Sequence, residues 1–312
     1  MRALVTGGAG FIGSNLVDAL VARGDEVAVI DNLTTGRESN LEPALEQGVV
    51  LHRADICEAE RMQELVGEYA PEVVFHLAAQ IDVRRSVADP AFDSRVNVEG
   101  TVNMLEAARR VGVTRFVMSS TGGAIYGETG VLPTPEEHPP LPKAPYGLSK
   151  FCAERYCEIY TRLYGLPTIT LRYGNVYGPR QDPLGEAGVV AIFCGRLEQG
   201  RRPTIFGDGT QTRDYVYVAD VVESNLAVVE HPEAGGEFNI GTGQETSVLD
   251  LVEAMRGLGA QDFEPEFEPA RLGEVQRSCL DVSRAREQLG WRAEVGLGEG
   301  LGLTLEAARA SA

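Results

Sequence analysis

The sequence has 312 residues, 43% of them hydrophobic and 24% charged, a balance that excludes a disordered chain and gives a prior of about two domains. A formal net charge of −18 argues against nucleic-acid binding as a main function, and no apolar run reaches the roughly 18 residues a membrane span needs. Cysteines at 57, 152, 157, 194 and 279 are odd in number and lack metal-ligand spacing, so the expectation is reduced thiols in a cytoplasmic protein without metal or leader.

Ala3, Leu4 and Val5 read as a buried strand. Glycines follow at 7, 10 and 13, and Phe11 to Arg23 then carries apolar residues at helical spacing. Strand, glycine turn and helix in that order form the entrance to a dinucleotide site. Gly7 allows the turn, Gly10 lets N–H groups approach a pyrophosphate, and Gly13 lets helix and strand pack closely. Gly8-x-Gly10-x-x-Gly13 fits a similar spacing, so two registers stay open. A second strand, Glu26 to Ile30, ends at Asp31. An acid there accepts from a ribose 2′-OH and repels a 2′-phosphate, which favours NAD over NADP; the nearby Arg37 argues the other way.

Alternation continues with a strand at Val49–Ala54 ending at Asp55, a helix over Ala59–Tyr69, and an apolar strand over Val73–Ala79. A long helix is expected from about Pro90 to Val111, with Val96, Val102, Leu105 and Ala108 towards the core, followed by a strand at Arg115–Ser120. The prediction is an α/β fold of Rossmann type, a doubly wound parallel sheet whose ligands sit beyond the carboxyl ends of its strands. Asp31, Asp55, Ala78–Ala79 and Ser119–Thr121 fall at such ends. From Thr121 to Pro145 six prolines mark an irregular loop; a helix over Tyr146–Tyr164 and a strand at Thr168–Tyr173 follow. Beyond Asn175 short strands and glycine turns suggest a smaller, discontinuous α/β substrate-binding lobe, because Glu237–Gly241 reads as a strand returning to the main sheet. The expected division is residues 1–175 plus about 217–242 for NAD and 176–216 with 243–312 for a nucleotide sugar.

Tyr146-Gly-Leu-Ser-Lys150 places a phenol and an ammonium on one face of a helix. A free tyrosine titrates near ~10. A neighbouring ammonium and a bound nicotinamide cation both favour the phenolate, which turns the residue into a usable base. Of 28 basic residues only Lys143 and Lys150 are lysine, so a retained lysine points to a chemical requirement.

The Gly7–Gly10–Gly13 turn, Leu77-Ala-Ala79, Ser119-Ser-Thr121, Tyr146-x-x-x-Lys150 and Arg172-Tyr-Gly-Asn175 together resemble the extended short-chain dehydrogenase/reductases. Within them the chain is similar to the UDP-glucose 4-epimerase family over essentially its whole length, down to Arg271-Leu-Gly-Glu274. The resemblance implies C4 epimerisation of a UDP-hexose through a transient 4-keto sugar, with NAD retained, in a homodimer built on the helices beginning near Pro90 and Tyr146. Phe151, Tyr156, Ile159 and Leu163 would serve that bundle or the core.

Residue by residue, the resemblance makes Tyr146 the general base, has Lys150 orient the ribose, and has Thr121 bridge the sugar 4-OH to Tyr146. Asp31 with Asn32 would hold the adenosine ribose and Asp55 with Ile56 the adenine. Phe11, Ile12, Leu77, Ala78, Ala79, Asn97, Ser119 and Tyr173 would complete the cofactor site. Asn175, Arg213 and Arg271 would bind the diphosphate, with Val190, Thr204, Phe206, Glu274 and Ser278 also lining the substrate site.

Two departures from the family pattern matter. One extra residue before Tyr126-Gly127 leaves open whether Ser120 or Thr121 supplies the catalytic hydroxyl. Gly122-Gly123 replaces the acid pair that 4,6-dehydratases use for elimination, which argues against that chemistry. Ser278 aligns with the family's gatekeeper, and its small side chain leaves room for an N-acetyl group, so UDP-GlcNAc and UDP-GalNAc are expected substrates beside UDP-glucose and UDP-galactose. The competing readings are a nucleotide-sugar decarboxylase, a 4-keto reductase, and a non-catalytic NAD-binding protein of the same fold.

Overall fold

The structure is a computed structural model that describes residues 1–183, 188–259, 263–270 and 275–310. Strands β1 (Arg2–Thr6), β2 (Glu26–Asp31), β3 (Val50–Arg53), β4 (Val73–His76), β5 (Arg115–Thr121) and β6 (Thr168–Tyr173) run in chain order through the first half. After them come β7 (Asn175–Tyr177), β8 (Thr204–Phe206), β9 (Thr212–Arg213), β10 (Tyr215–Tyr217), β11 (Gly236–Ile240), β12 (Thr246–Ser247) and β13 (Glu266–Glu268). Seven of these form one parallel sheet in the order β11-β6-β5-β4-β1-β2-β3. The order reverses between β1 and β4, and that crevice is where an open α/β sheet binds its ligand.

Both faces of the sheet are covered, which explains the uninterrupted apolar runs. Val5, Val29, Phe75, Val117 and Leu171 point into one cluster, while Leu4, Ala28, Ile30, Val74 and Met118 point into the other. A third cluster around Tyr177, Phe193, Ile205, Tyr215 and Leu251 lies outside the main sheet. Phe11 and Ile12, at the start of helix Phe11–Ala22, pack against it. The paired strands β7·β10, β9·β12 and β8·β13 belong to this second region. As the sequence suggested, the segment near 237 returns to the main sheet, with β11 pairing alongside β6.

Several boundaries differ for physical reasons. β4 stops at His76, so Leu77–Ala79 is a loop beyond the strand end rather than part of it. The long helix from Pro90 is interrupted: Pro90–Ser94 is α-helical, Arg95–Glu99 forms a π turn, and Gly100–Val111 resumes the α-helix. A π turn inserts a residue and rotates the apolar face. Leu105 and Ala108 are therefore buried as expected, but Val96 and Val102 are only half-buried. The proline-rich stretch contains a short helix, Gly122–Ile125, and Thr134 bridges to Leu280. Among the described residues no helix is long and apolar enough to cross a membrane, and all five cysteines are free thiols.

Candidate active site

The glycine turn after β1 is a cradle with no spare volume. Gly7 takes φ +70°, and a Cβ there would stand 2.6 Å from the Ala78 nitrogen. A Cβ on Gly13 would stand 2.2 Å from the Gly7 carbonyl oxygen. Gly10 N–H closes the turn on that same carbonyl at 3.1 Å. Gly8 instead packs on the Val29 side chain, so the register is Gly7–Gly10–Gly13. Helix Phe11–Ala22 starts without a side-chain cap, which leaves its first N–H groups for an anion.

At the end of β2, Asp31 is buried and accepts N–H bonds from Ala9 (2.9 Å) and Leu33 (2.8 Å). Burial raises its carboxyl above the usual range, and the two N–H groups oppose that. Asn32 donates to Asp55 at 2.9 Å. Burial acts to raise Asp55, but Cys57 and Asn32 outweigh it and hold the carboxyl low. The Ile56 carbonyl accepts from Asn103 at 3.0 Å. The cradle, the free helix N-terminus and the acid after β2 fit a dinucleotide without a 2′-phosphate.

Across the crevice, Lys150 is buried and donates to the Ser119 carbonyl at 2.8 Å. Burial lowers its ammonium to about 8, although Glu154, Cys157 and Asp93 act to raise it. Tyr146, one turn before it on helix Pro145–Tyr164, is raised well above the usual tyrosine range by burial, then by the charge of Asp93; a hydrogen bond with Thr121 opposes both. Burial and Asp93 thus keep the phenol protonated in the protein by itself. The Thr121 hydroxyl, which also accepts from the Ala124 N–H at 3.2 Å, is the one that meets the phenol. Ser120 is buried, and its hydroxyl has no partner in the structure. Ser119 donates to the His76 carbonyl at 3.1 Å, and Tyr173 is bonded to Asn225.

Beneath the crevice a hydrogen-bond chain sets one tautomer of His76. Ala78 N–H donates to Thr6 Oγ1 (3.2 Å), and Thr6 Oγ1 meets His76 Nδ1 (2.8 Å). His76 Nε2 meets Thr101 Oγ1 (3.0 Å), which donates to the Asn97 carbonyl (2.7 Å). Because the Thr101 hydroxyl proton is spent on Asn97, Nε2 carries the ring proton and Nδ1 accepts from the Thr6 hydroxyl. Burial holds the imidazole neutral, with a pKa lowered to about 3. Asn97 does not point its amide freely at the cofactor side. It accepts from Gln80 N–H (2.9 Å) and donates to the Gln80 carbonyl (2.9 Å) and Asp93 (3.1 Å).

Asn175, Arg213 and Ser278 lie at or beside Asp214, a residue sequence reasoning missed. Its carbonyl accepts from Asn175 N–H at 2.7 Å, and its buried carboxylate accepts from Thr242, Gly243 and Leu280. Arg213 precedes it on β9, and Ser278 N–H reaches the Thr212 carbonyl on the same strand at 3.3 Å. The Asn175 side chain faces Gly123, at the position where an eliminating enzyme would need an acid. Val190 is buried in helix Val189–Glu198, Thr204 accepts from Arg196 at 2.7 Å, and Phe206 ends β8. Arg271 and Glu274 lie outside the described residues. Asp214 had a weak sequence signal, an acid beside the expected diphosphate arginine; Asp93 and Gln80 had none.

Residues 3–241 match the model of the NAD dependent epimerase/dehydratase family. A UDP-glucose 4-epimerase of Mycolicibacterium smegmatis is 51% identical over 308 residues, covering 98% of each chain. The crystal structure of a UDP-glucose 4-epimerase from Thermotoga maritima with UDP-glucose superposes with a TM-score of 0.96 at 48% identity, covering 100% of this chain and 99% of that one. A Thermus thermophilus UDP-glucose 4-epimerase in complex with NAD gives 0.92 at 44% identity, covering 100% of both chains.

Proposed function

This chain belongs to the NAD dependent epimerase/dehydratase family, and we propose that it inverts C4 of a UDP-hexose, interconverting UDP-glucose and UDP-galactose with NAD retained. The observation that carries this reading is the Thr121–Tyr146–Lys150 cluster facing the glycine cradle across the sheet's switch point. Tyr146 takes the proton of the sugar 4-OH and later returns it, with the Thr121 hydroxyl between phenol and sugar. Lys150, held by the Ser119 carbonyl, keeps its remaining donors for the ribose. NAD held by the Gly7–Gly13 turn, Asp31 and Lys150 would supply a reversible hydride acceptor for C4 of the sugar. Asn175 and Arg213, braced through Asp214, anchor the diphosphate while the sugar turns over; Arg271 would join them. The division into an NAD-binding part (1–175 plus about 217–242) and a sugar-nucleotide lobe (176–216 and 243–312) belongs to the same reading, supported by the separate apolar cluster around Phe193. Denaturing the purified protein should release NAD, and NMR should show UDP-galactose forming from UDP-glucose without net NADH. Net turnover of the cofactor, in place of a retained catalytic NAD, would point instead to a 4-keto reductase.

Ser278 is proposed as the residue that admits a 2-N-acetyl group. Ser278→Tyr should cut turnover of UDP-GlcNAc at least about tenfold while sparing UDP-glucose, since filling such a space costs roughly 1–3 kcal/mol. Equal loss on both substrates, or none on either, removes this assignment. A homodimer is proposed through helix Pro145–Tyr164 and the segment from Pro90. Leu163 is 63% and Tyr156 41% exposed, and a groove of about 520 Å³ runs beside Tyr156, Val98 and Val102. Sedimentation should show a dimer that Leu163→Glu dissociates. A cytoplasmic location is supported by the five free thiols.

A further inference from the structure

Asp93 has no part in the reaction as written above, yet it is fully buried (0% exposed) beside the catalytic pair. One oxygen accepts from Ser149 Oγ at 2.6 Å, and Ser149 lies between Tyr146 and Lys150 on their helix. The other accepts from Gln80 Nε2 (2.8 Å) and Asn97 Nδ2 (3.1 Å). Gln80 lies in the loop between β4 and helix Val83–Ala88, and Asn97 sits one turn further along Asp93's own helical segment, in its π turn. One carboxylate thus ties its own helical segment to the Tyr146–Lys150 helix and to the loop after β4, and each of these three hydrogen bonds comes from a neutral donor. Three such donors can solvate a buried anion without neutralising it.

We propose that Asp93 is a positioning residue for the Tyr146–Lys150 pair, locking their helix to the loop after β4 and setting a fixed negative charge beside them. The proposal rests on the epimerase reading of the site. The titratable groups around the pair are Asp93 from the segment below, Glu154 and Cys157 further along the same helix, the Cys157 thiol held neutral by burial, and Arg172 from β6, which Glu154 binds at 2.6 Å. His76 from β4 faces Lys150 as a neutral ring. Arg172 offsets Glu154, so Asp93 is the anion left to act on the phenol. Its field disfavours the phenolate, consistent with the raised tyrosine, and keeps the base protonated until a positive charge arrives. It also stabilises the buried ammonium of Lys150.

The test is the pH dependence of turnover in NAD-loaded Asp93→Asn, an isosteric change that removes the charge. The acid limb should move to lower pH by about one unit. Ultraviolet difference titration against Asp93→Asn/Tyr146→Phe should show the phenolate forming at correspondingly lower pH, and this signal does not depend on turnover. Absence of epimerisation in the parent protein would count against the epimerase reading, and the tyrosine titration would still decide the role of Asp93. Ser149→Ala keeps the charge but removes the tie, so turnover should fall several-fold with the limb unmoved. A titration unchanged in Asp93→Asn overturns the charge role. If that variant does not accumulate as soluble protein, Ser149→Ala turning over like the parent overturns the positioning role.

Discussion

Tyr146→Phe is expected to lower epimerisation roughly 10³-fold while NAD remains bound, the magnitude typical of removing a positioned general acid–base group. The residue is half-buried, and the change deletes one oxygen whose partner in the structure is the Thr121 hydroxyl. Thr121 retains its bond from the Ala124 N–H, so the local turn should survive. The dinucleotide cradle around Gly7, on the far side of the crevice, shares no bond with the phenol. NAD released on denaturation should therefore match the parent, while NMR detects almost no UDP-galactose. The phenol also faces a burial penalty, so removing its hydroxyl should not destabilise the apoprotein. Retention of full activity would discard the mechanism, and loss of NAD together with activity would make Tyr146 a structural residue.

Gly13→Ala should have the second largest effect. A methyl at position 13 would lie 2.2 Å from the Gly7 carbonyl oxygen, 2.8 Å from Gly8 Cα and 2.9 Å from the Gly7 carbonyl carbon, all backbone atoms of the turn. No rotamer change relieves that contact. Either helix Phe11–Ala22 moves away from β1 or the turn opens, and both displace the N–H groups proposed to hold the pyrophosphate. Overpacking of this kind costs about 3 kcal/mol. The variant should purify with less than about a tenth of the parent's NAD, a loss of at least ~1.4 kcal/mol in binding, and should melt at lower temperature. NAD content equal to that of the parent would show that the cradle is not the dinucleotide site.

The boundary shifts show where local patterning stops. The strands survive as read from apolar runs because a sheet covered on both faces needs them at every position. The π turn at Arg95–Glu99 left no such trace: Val96, Val102, Leu105 and Ala108 fit a regular helix in one dimension. What distinguishes the turn is the tertiary demand that Asn97 reach Gln80, a contact across 17 residues of chain.

By itself the sequence determined the parallel α/β architecture, the glycine cradle, the acid after the second strand and the Tyr146–Lys150 pair. Each of these is encoded within about one strand or a few helical turns, where spacing along the chain fixes spacing in space. Only the tertiary structure decided that Thr121 and not Ser120 meets the phenol, that Gly7 and not Gly8 makes the turn, and that Asp93 and Asp214 brace the two halves of the site. Those outcomes depend on distances between segments far apart in sequence and on how completely each group is shut away from water. Desolvation and Asp93 raise the Tyr146 phenol, and no local pattern records either.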